Sequence, residues 1–544
     1  MATITWIGGT ATWDATTTSV WSTGTVPTSA DDVVFSSATT YTVTLSGTLA
    51  CKNFTVSAGT VSFNDVSGTL SIYGSYSVVA ATTFSLPATP VTFAATTTGN
   101  TITTNGTSLQ SFTTFNGVGG GWTLQDNYTS SGPYYLSFSN GSLNLNGKTI
   151  TVYQLVLNGT TSGAFTLTWG GAGIYITGSG SVLTSSTAVT DRVTNTGTPN
   201  LYFTYSGVLS RSINMGAYTQ GNGFNYFITA GTGLVTLSVG FGANNVDFTG
   251  FSGNVSWSNG VGLRGNLTYS TTMSVSAAVA PMVFAGTSVT QLVYFKALTM
   301  DKPFQVGDAA GNSPTVKLMD SGATIGTSAT RGITLLNGTL DLNGQTINTA
   351  IFTTSAGTKN LTFNGGILNI GGAGSTSFQN SNPTGFTTTQ GTSLGFITVQ
   401  DTVGFARTFA GGGSIFNCVL QSYCTTGLII TGANTFQGIQ TAASPAALTF
   451  PASATTTISN ASTWQVNGTV GNLVTINSSL SGTAATISVA SGTVPSNYIS
   501  LQDVTATGGA TFYAGANSTN VSGNTGWLFS TAPFIPTFNL LVMF

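Results

Sequence analysis

Apolar and polar residues alternate with a period of two along most of this chain. The clearest case is Asn337–Asn348, NGTLDLNGQTIN: Leu340 and Leu342 alternate with polar neighbours, Asn343-Gly344 follows, and Ile347 resumes the alternation. Asn140–Thr151, NGSLNLNGKTIT, is a near copy, with Leu143, Leu145, Asn146-Gly147 and then Ile150. A period of two predicts strands, because successive side chains of an extended chain point to opposite faces. Asn-Gly predicts a tight turn between strands, since both residues tolerate positive φ.

The likeness between the copies extends to both sides. WTLQD (Trp122–Asp126) precedes the first and VKLMD (Val316–Asp320) the second; LTW with GIYITGSGS, and LTF with GILNIGGAGS, follow them. The offset is 197 residues at the centre (Asn140 to Asn337) and 194 at the flanks (Trp122 to Val316, Leu167 to Leu361). An internal duplication of roughly eighty residues is expected. No window carries a sustained 3.6-residue apolar stripe, and the good helix formers are scarce. The predicted class is all-β: a parallel β-helix or related solenoid with capping modules, at ~20–25 residues per rung, with tandem β-sandwich domains as the alternative.

The same rhythm divides the chain. Residues 1–50, with Trp6, Trp13 and Trp21, read as an N-terminal cap or attachment segment. Residues 51–193 read as solenoid containing the first repeat block (about 122–193), 194–314 as a less regular β segment with insertions, 315–400 as the second block, and 401–496 as further β structure. Residues 497–530 form a closing segment with Tyr498, Phe512, Tyr513 and Trp527 set among Gly turns. Residues 531–544 form an apolar tail.

Composition narrows the function. Hydrophobic residues make up 40% of the 544, enough for a large core, but charged residues only 4%, against about a quarter in ordinary proteins. The 33 Phe, 17 Tyr and 8 Trp exclude the signature of a disordered chain. Eleven Lys and Arg are spread singly from Lys52 to Arg407 with a net charge of −2, so no basic face exists for nucleic acid. No run reaches the ~20 apolar residues of a membrane-spanning helix. MATITWIGGTATWD has neither a basic n-region nor an apolar h-region, so no Sec signal peptide is expected. The three cysteines read as small buried apolar residues, with a Cys418–Cys424 disulfide as the alternative.

All thirteen acidic residues are Asp; there is no Glu and no His. His-based triads and most zinc sites are thereby excluded. A glycosidase or lyase would need clustered acids, and the candidates are Asp31-Asp32, Asp301 with Asp308, and Asp320 with Asp341. None has a spacing that demands catalysis, and no catalytic, cofactor-binding or metal-ligating residue is assigned. Asp31-Asp32 reads as a Ca²⁺ ligand pair or as a turn bonding its own backbone, and Asp126 and Asp320, equivalent in the two copies, as turn aspartates. The repeated Asn residues read as amide ladders between rungs or as sugar-binding amides. Gly-rich runs at 119–121 and 411–413 lack the Lys-Ser/Thr of a phosphate loop.

Two stretches carry a resemblance. The pattern from Trp6 to Phe35, W-x-G-G-T-x-T-W-D-A-T-T-T…W-S…V-P-T-S-A-D-D-V-V-F, resembles the N-terminal cap of β-helical surface proteins: autotransporter-type adhesins, and phage structural proteins encoded without a signal peptide. Residues 497–530 are similar to a module that closes the same repeat proteins, which implies a C-terminal capping module whose Tyr498, Phe512, Tyr513 and Trp527 plug the end of a stack, as a solenoid's last rung requires. The resemblance implies a non-enzymatic structural protein of a phage virion, such as a tail fibre, appendage or capsid decoration. It implies identical subunits as partners, in a homotrimer or larger assembly, together with other virion proteins and a host-surface glycan. The alternative is a secreted adhesin at the cell surface that binds glycan through Tyr134, Tyr135 and Tyr202; a polysaccharide depolymerase comes third. A free apolar terminus is an aggregation liability unless it docks, so Phe534, Ile535, Phe538, Leu540, Leu541, Val542, Met543 and Phe544 are the candidate assembly contact. Trp6, Trp13 and Trp21 are the candidate N-terminal attachment.

Overall fold

The computed structural model describes the chain except residues 1, 66, 80–82, 87–88, 159–164, 186–192, 215–222, 239–242, 258–260, 356, 402–403, 444 and 534–544. It is 51% strand and 1% helix, wound as a parallel β-solenoid of about 19 turns. Two compact units divide it, Met1–Ser276 and Ala277–Phe544. Among the described residues every ladder between named strands is parallel, which excludes the sandwich alternative: sandwiches are built of antiparallel sheets.

In the first unit the strands stack in register into three faces. One inward column runs Ile4, Val33, Phe54, Tyr76, Ile102 and Leu124, each at most 2% exposed. Strands Thr113–Leu124 and Tyr135–Asn144 are long enough to turn a corner and serve two faces, joining them as one 18-stranded sheet. The second unit repeats the plan, with the column Met282, Phe304, Ile333, Phe352, Phe378, Phe409 and Ile430. Rung lengths there run from 19 residues (Ile333 to Phe352) to 31 (Phe378 to Phe409), bracketing the expected repeat. The alternation read from the sequence is thus the alternation of core and surface, and equivalent side chains meet at the ~4.8 Å strand spacing.

The duplicated blocks fold alike, one in each unit. Leu143 pairs with Leu167 as Leu340 pairs with Leu361, and Ile150 pairs with Ile174 as Ile347 pairs with Leu368. Asn146-Gly147 and Asn343-Gly344 both have positive φ at both residues (52° and 73°; 51° and 75°), the conformation their side chains tolerate best. The turn is a corner between two faces of the coil rather than a hairpin, because the strands on either side pair with neighbouring rungs and not with each other. The segment 194–314, expected to be irregular, keeps the register: Ile176 with Phe203, then Leu201, Tyr226, Val246 and Leu267 in one column.

The N-terminal end is closed. Trp21 packs edge-on against Trp6 and Trp13, with ring centroids 4.9 and 5.1 Å apart, and Phe35 lies beneath. Residues 20–22 also run antiparallel to the first strand, Thr3–Thr5: Ile7 N donates to Val20 O and Ser22 N to Thr5 O. The chain just after that strand, Thr5 to Ile7, is therefore already paired. At the C-terminal end Phe512 and Trp527 pack edge to face at 5.1 Å, while Tyr498 and Tyr513 are only half-buried.

Candidate functional site

The aspartates singled out from the sequence are engaged by turns. Asp126 accepts from the backbone N–H groups of Thr104 and Asn105, one rung back, and from Thr104 Oγ1. Asp320, its counterpart, accepts from Phe295 N at 2.9 Å and Lys296 N at 3.0 Å. Each carboxylate clamps a corner of the preceding rung where φ is positive: Asn105, and Lys296 with Ala297. Asp31 accepts from Thr28 N, Thr28 Oγ1 and Ala2 N, and Asp32 from Asn53 Nδ2. The turn reading accounts for the Thr28 bonds of Asp31, while Ala2 and Asn53 tie the pair to neighbouring segments. Asp308 closes its own turn through Ala310 N, Asn312 N and Asn312 Nδ2. Asp301 holds Thr327, Ser328 and Arg331; Asp341 holds Asn343 N and Asn364 Nδ2, with Lys317 Nζ at 3.8 Å. Among the described residues no group of three or more acids or cysteines is placed to hold a metal ion.

The amides form ladders. Asn225 Nδ2 donates to Asn200 Oδ1 at 2.9 Å, Asn245 Nδ2 to Asn225 Oδ1 at 2.8 Å, and Asn266 N to Asn245 Oδ1 at 2.7 Å. In the repeat blocks Asn146 Nδ2 donates to Leu124 O and Asn343 Nδ2 to Leu318 O. A shallow cleft of about 250 Å³ beside Asn348, Asn369 and Gln400 is lined by amides of the same kind, with Asn369 Nδ2 donating to Asn348 Oδ1. Bonds between rungs consume these amides, leaving little for a sugar hydroxyl.

The aromatics proposed to hold glycan are half-buried. Tyr202 stands between Tyr175 and Phe227, nearly parallel to both at 4.7 Å. Its ring faces, the surfaces a sugar would stack on, are covered by its neighbours. Tyr134 and Tyr135 pack against Phe112 at 5.1 and 4.9 Å. Trp6, Trp13 and Trp21 are 2, 0 and 1% exposed, so these rings make the end plug and offer no surface for attachment. The tail candidates, Phe534, Ile535, Phe538, Leu540, Leu541, Val542, Met543 and Phe544, lie outside the described residues. The three cysteines are buried and free, which removes the Cys418–Cys424 disulfide; burial pushes all three thiols up, Cys424 to about 11.

Four buried cations went unnoticed in the sequence. Arg211, Lys302, Lys359 and Arg407 are at most 1% exposed. Each bonds main-chain carbonyls: Arg211 that of Ala230, Lys302 that of Ala280, Lys359 those of Gly357 and Thr384, Arg407 those of Gly372 and Gly374. Arg211 also lies over the rings of Tyr205 and Phe251. The signal was present, since Arg211, Lys359 and Arg407 share inward parity with Ile213, Leu361 and Phe409.

These environments set a pH profile. Bonds from Thr16 and Thr17 hold Asp14 at about 2; burial pushes Asp301 up, but Ser328, Thr327 and Arg331 outweigh it and hold that group at about 2 as well. Carboxylates lowered below their ordinary 3.8 stabilise the fold above that value, and the contribution is lost as pH falls towards 2. Burial lowers Lys302 to about 8 from 10.5, so above pH 8 the unfolded chain binds the extra proton and stability rises with pH. From about pH 9 the three buried thiols, all pushed up by burial, reverse the trend, and above 10 Tyr41, pushed up to about 12, adds to the fall. With no His and no Glu, a melting curve is expected to be flat between about pH 5 and 7.5, to fall below 4, to rise slightly just above 8, and to fall again above about 9. In Lys302→Met the alkaline rise should vanish; a slope near pH 6.5 would contradict this account.

Stacked parallel rungs, turn-clamping aspartates and closed amide ladders define the class: a parallel β-solenoid whose polar groups serve its own construction. Compared with protein families, with curated proteins and with solved structures, the chain matches none. No described helix is long and apolar enough to cross a membrane.

Proposed function

We propose that this chain is a non-enzymatic structural component of a phage particle, a tail fibre, appendage or capsid decoration, which assembles with copies of itself. The observation that carries the non-enzymatic part is the engagement of the candidate aspartates: each pair that could have formed a catalytic dyad holds a turn instead. In a chain without His or Glu, little remains to move a proton. The particle reading is supported by the resemblance of the Trp6–Phe35 pattern and of residues 497–530. Low charge agrees with it, because neutral coils lie side by side without repulsion. The adhesin reading has less support, since the faces of Tyr202 are closed.

Two measurements test the proposal together. Light scattering on the full-length chain should give a discrete multimer, and gold-labelled antibody against it should decorate phage particles released from the host that carries the gene. A monomer at every concentration overturns self-assembly. Label confined to the cell surface overturns the particle assignment in favour of the adhesin.

A further inference from the structure

We infer that the last rung of the coil is the docking edge for a second copy, and that residues 534–544 of that copy are the strand it receives. This rests on the self-assembly reading above and names the surfaces involved. The two ends of the chain differ in kind. At the N-terminal end residues 20–22 pair antiparallel with Thr5–Ile7, at the end of the first strand, and three indoles fill the core beneath. At the C-terminal end, Thr519–Ser522 pairs only inward with Ile499–Gln502, and Trp527–Leu528 only inward with Thr511–Tyr513. Among the described residues no strand lies beyond them. All four residues of Thr519–Ser522 are exposed, Val521 at 52%, and Leu528 is 46% exposed. A bare strand edge with apolar side chains is a template for another strand. Trp527 gives a second sign: it is 8% exposed, and its buried Nε1–H has no acceptor among the described residues. A strand laid on this edge brings backbone carbonyls within its reach.

The tail has the sequence of such a strand. After Pro536, Phe538, Leu540, Val542 and Phe544 fall on one parity, with Thr537, Asn539, Leu541 and Met543 on the other, and no charge interrupts them. Neither the tail nor residues 519–528 carry a charged side chain, so contact requires no ion to be desolvated. The donor is a second copy because of where the chain goes after Leu528. Thr531 and Ala532 line a cleft of about 420 Å³ with Ser462, Trp464, Asn497 and Gly515. The chain has already left the end and lies on the flank of earlier turns, so the tail starts away from its own last rung.

The test places p-benzoylphenylalanine at Phe538 in the full-length chain and irradiates an equal mixture of ¹⁴N- and ¹⁵N-labelled protein. Cross-links from position 538 to residues 519–528 are expected, with half of them joining unlike isotopes. Cross-links only within one isotope mean closure by the chain's own tail and overturn the inference, as does any other attachment site. A second variant, Val521→Lys with Leu528→Lys, changes exposed positions and should leave the melting curve unchanged while reducing the multimer to monomers; Ile7→Lys, at the sealed end, should do neither. A multimer that survives the double substitution overturns the docking edge yet leaves self-assembly standing. A wild-type chain that never associates removes both.

Discussion

Phe378→Ala is expected to destabilise the second unit by about 3–5 kcal/mol, the upper range for emptying an aromatic site in a packed core. The ring is fully buried in the middle of an in-register column. Phe409 stacks on it at 4.5 Å and Phe352 at 5.2 Å, while Phe416 and Phe386 meet its edge at 5.5 and 6.3 Å. Neighbours held in hydrogen-bonded rungs cannot collapse into the space, so the cavity term is large. Loss should spread along the coil, because a solenoid's stability is the sum of its rungs and the interfaces between adjacent ones. Hydrogen exchange is the discriminating measurement: protection should fall for residues near 352, 409 and 436 and stay unchanged in the first unit. Phe378→Leu should recover most of the loss. A cost below about 1 kcal/mol would mean the column repacks, contrary to the geometry.

Other core positions were legible in the sequence before they were seen in space. Period-two alternation placed Leu340, Leu342 and Ile347 on the core side, and all are fully buried. The offset copies marked a repeat, and the repeat folds alike in both units. What local pattern could not supply was the partner of each strand. Asn343-Gly344 signals reversal equally well in a hairpin and at a corner, and only the pairing of Leu340 with Leu361 and Ile347 with Leu368 decides between them. Register between strands some twenty residues apart depends on core packing that no short window contains.

The candidate site divides the same way. Turn chemistry was readable at Asp31 and Asp308, where the bonded groups are mostly a few residues away. The clamps of Asp126 and Asp320 on a previous rung were not, since Thr104 and Phe295 come near only once the coil has wound. Arg211 and Arg407 were read only among singly spread charges, and their burial left no sign because their compensation comes from main-chain carbonyls, which leave no trace in residue type. The Trp-rich opening was recognised as an end segment, but its rings proved to face inward, where Trp21 meets Trp6 and Trp13.

Those rings carry the second large effect. Trp21→Ala is expected to cost about 3–5 kcal/mol and to turn a closed end into an adhesive one. Trp21 is 1% exposed and touches Trp6, Trp13 and Phe35, so its removal opens the core of the first rung to water. It also loosens residues 20–22, whose bonds Ile7 N to Val20 O and Ser22 N to Thr5 O pair them with Thr5–Ile7 at the end of the first strand. Phenylalanine separates the two contributions of the indole. The Trp21 Nε1–H is buried with no acceptor among the described residues, so Trp21→Phe gives up ring area but relieves an unmet donor. Its cost should therefore be well under half that of alanine. Urea denaturation of both variants supplies the comparison, and light scattering of Trp21→Ala in a chain ending at Ser530 supplies the other test. New association there, with the tail absent, would show that the indole plug keeps this end single; a soluble monomer would show that the backbone pairing of residues 20–22 suffices without it.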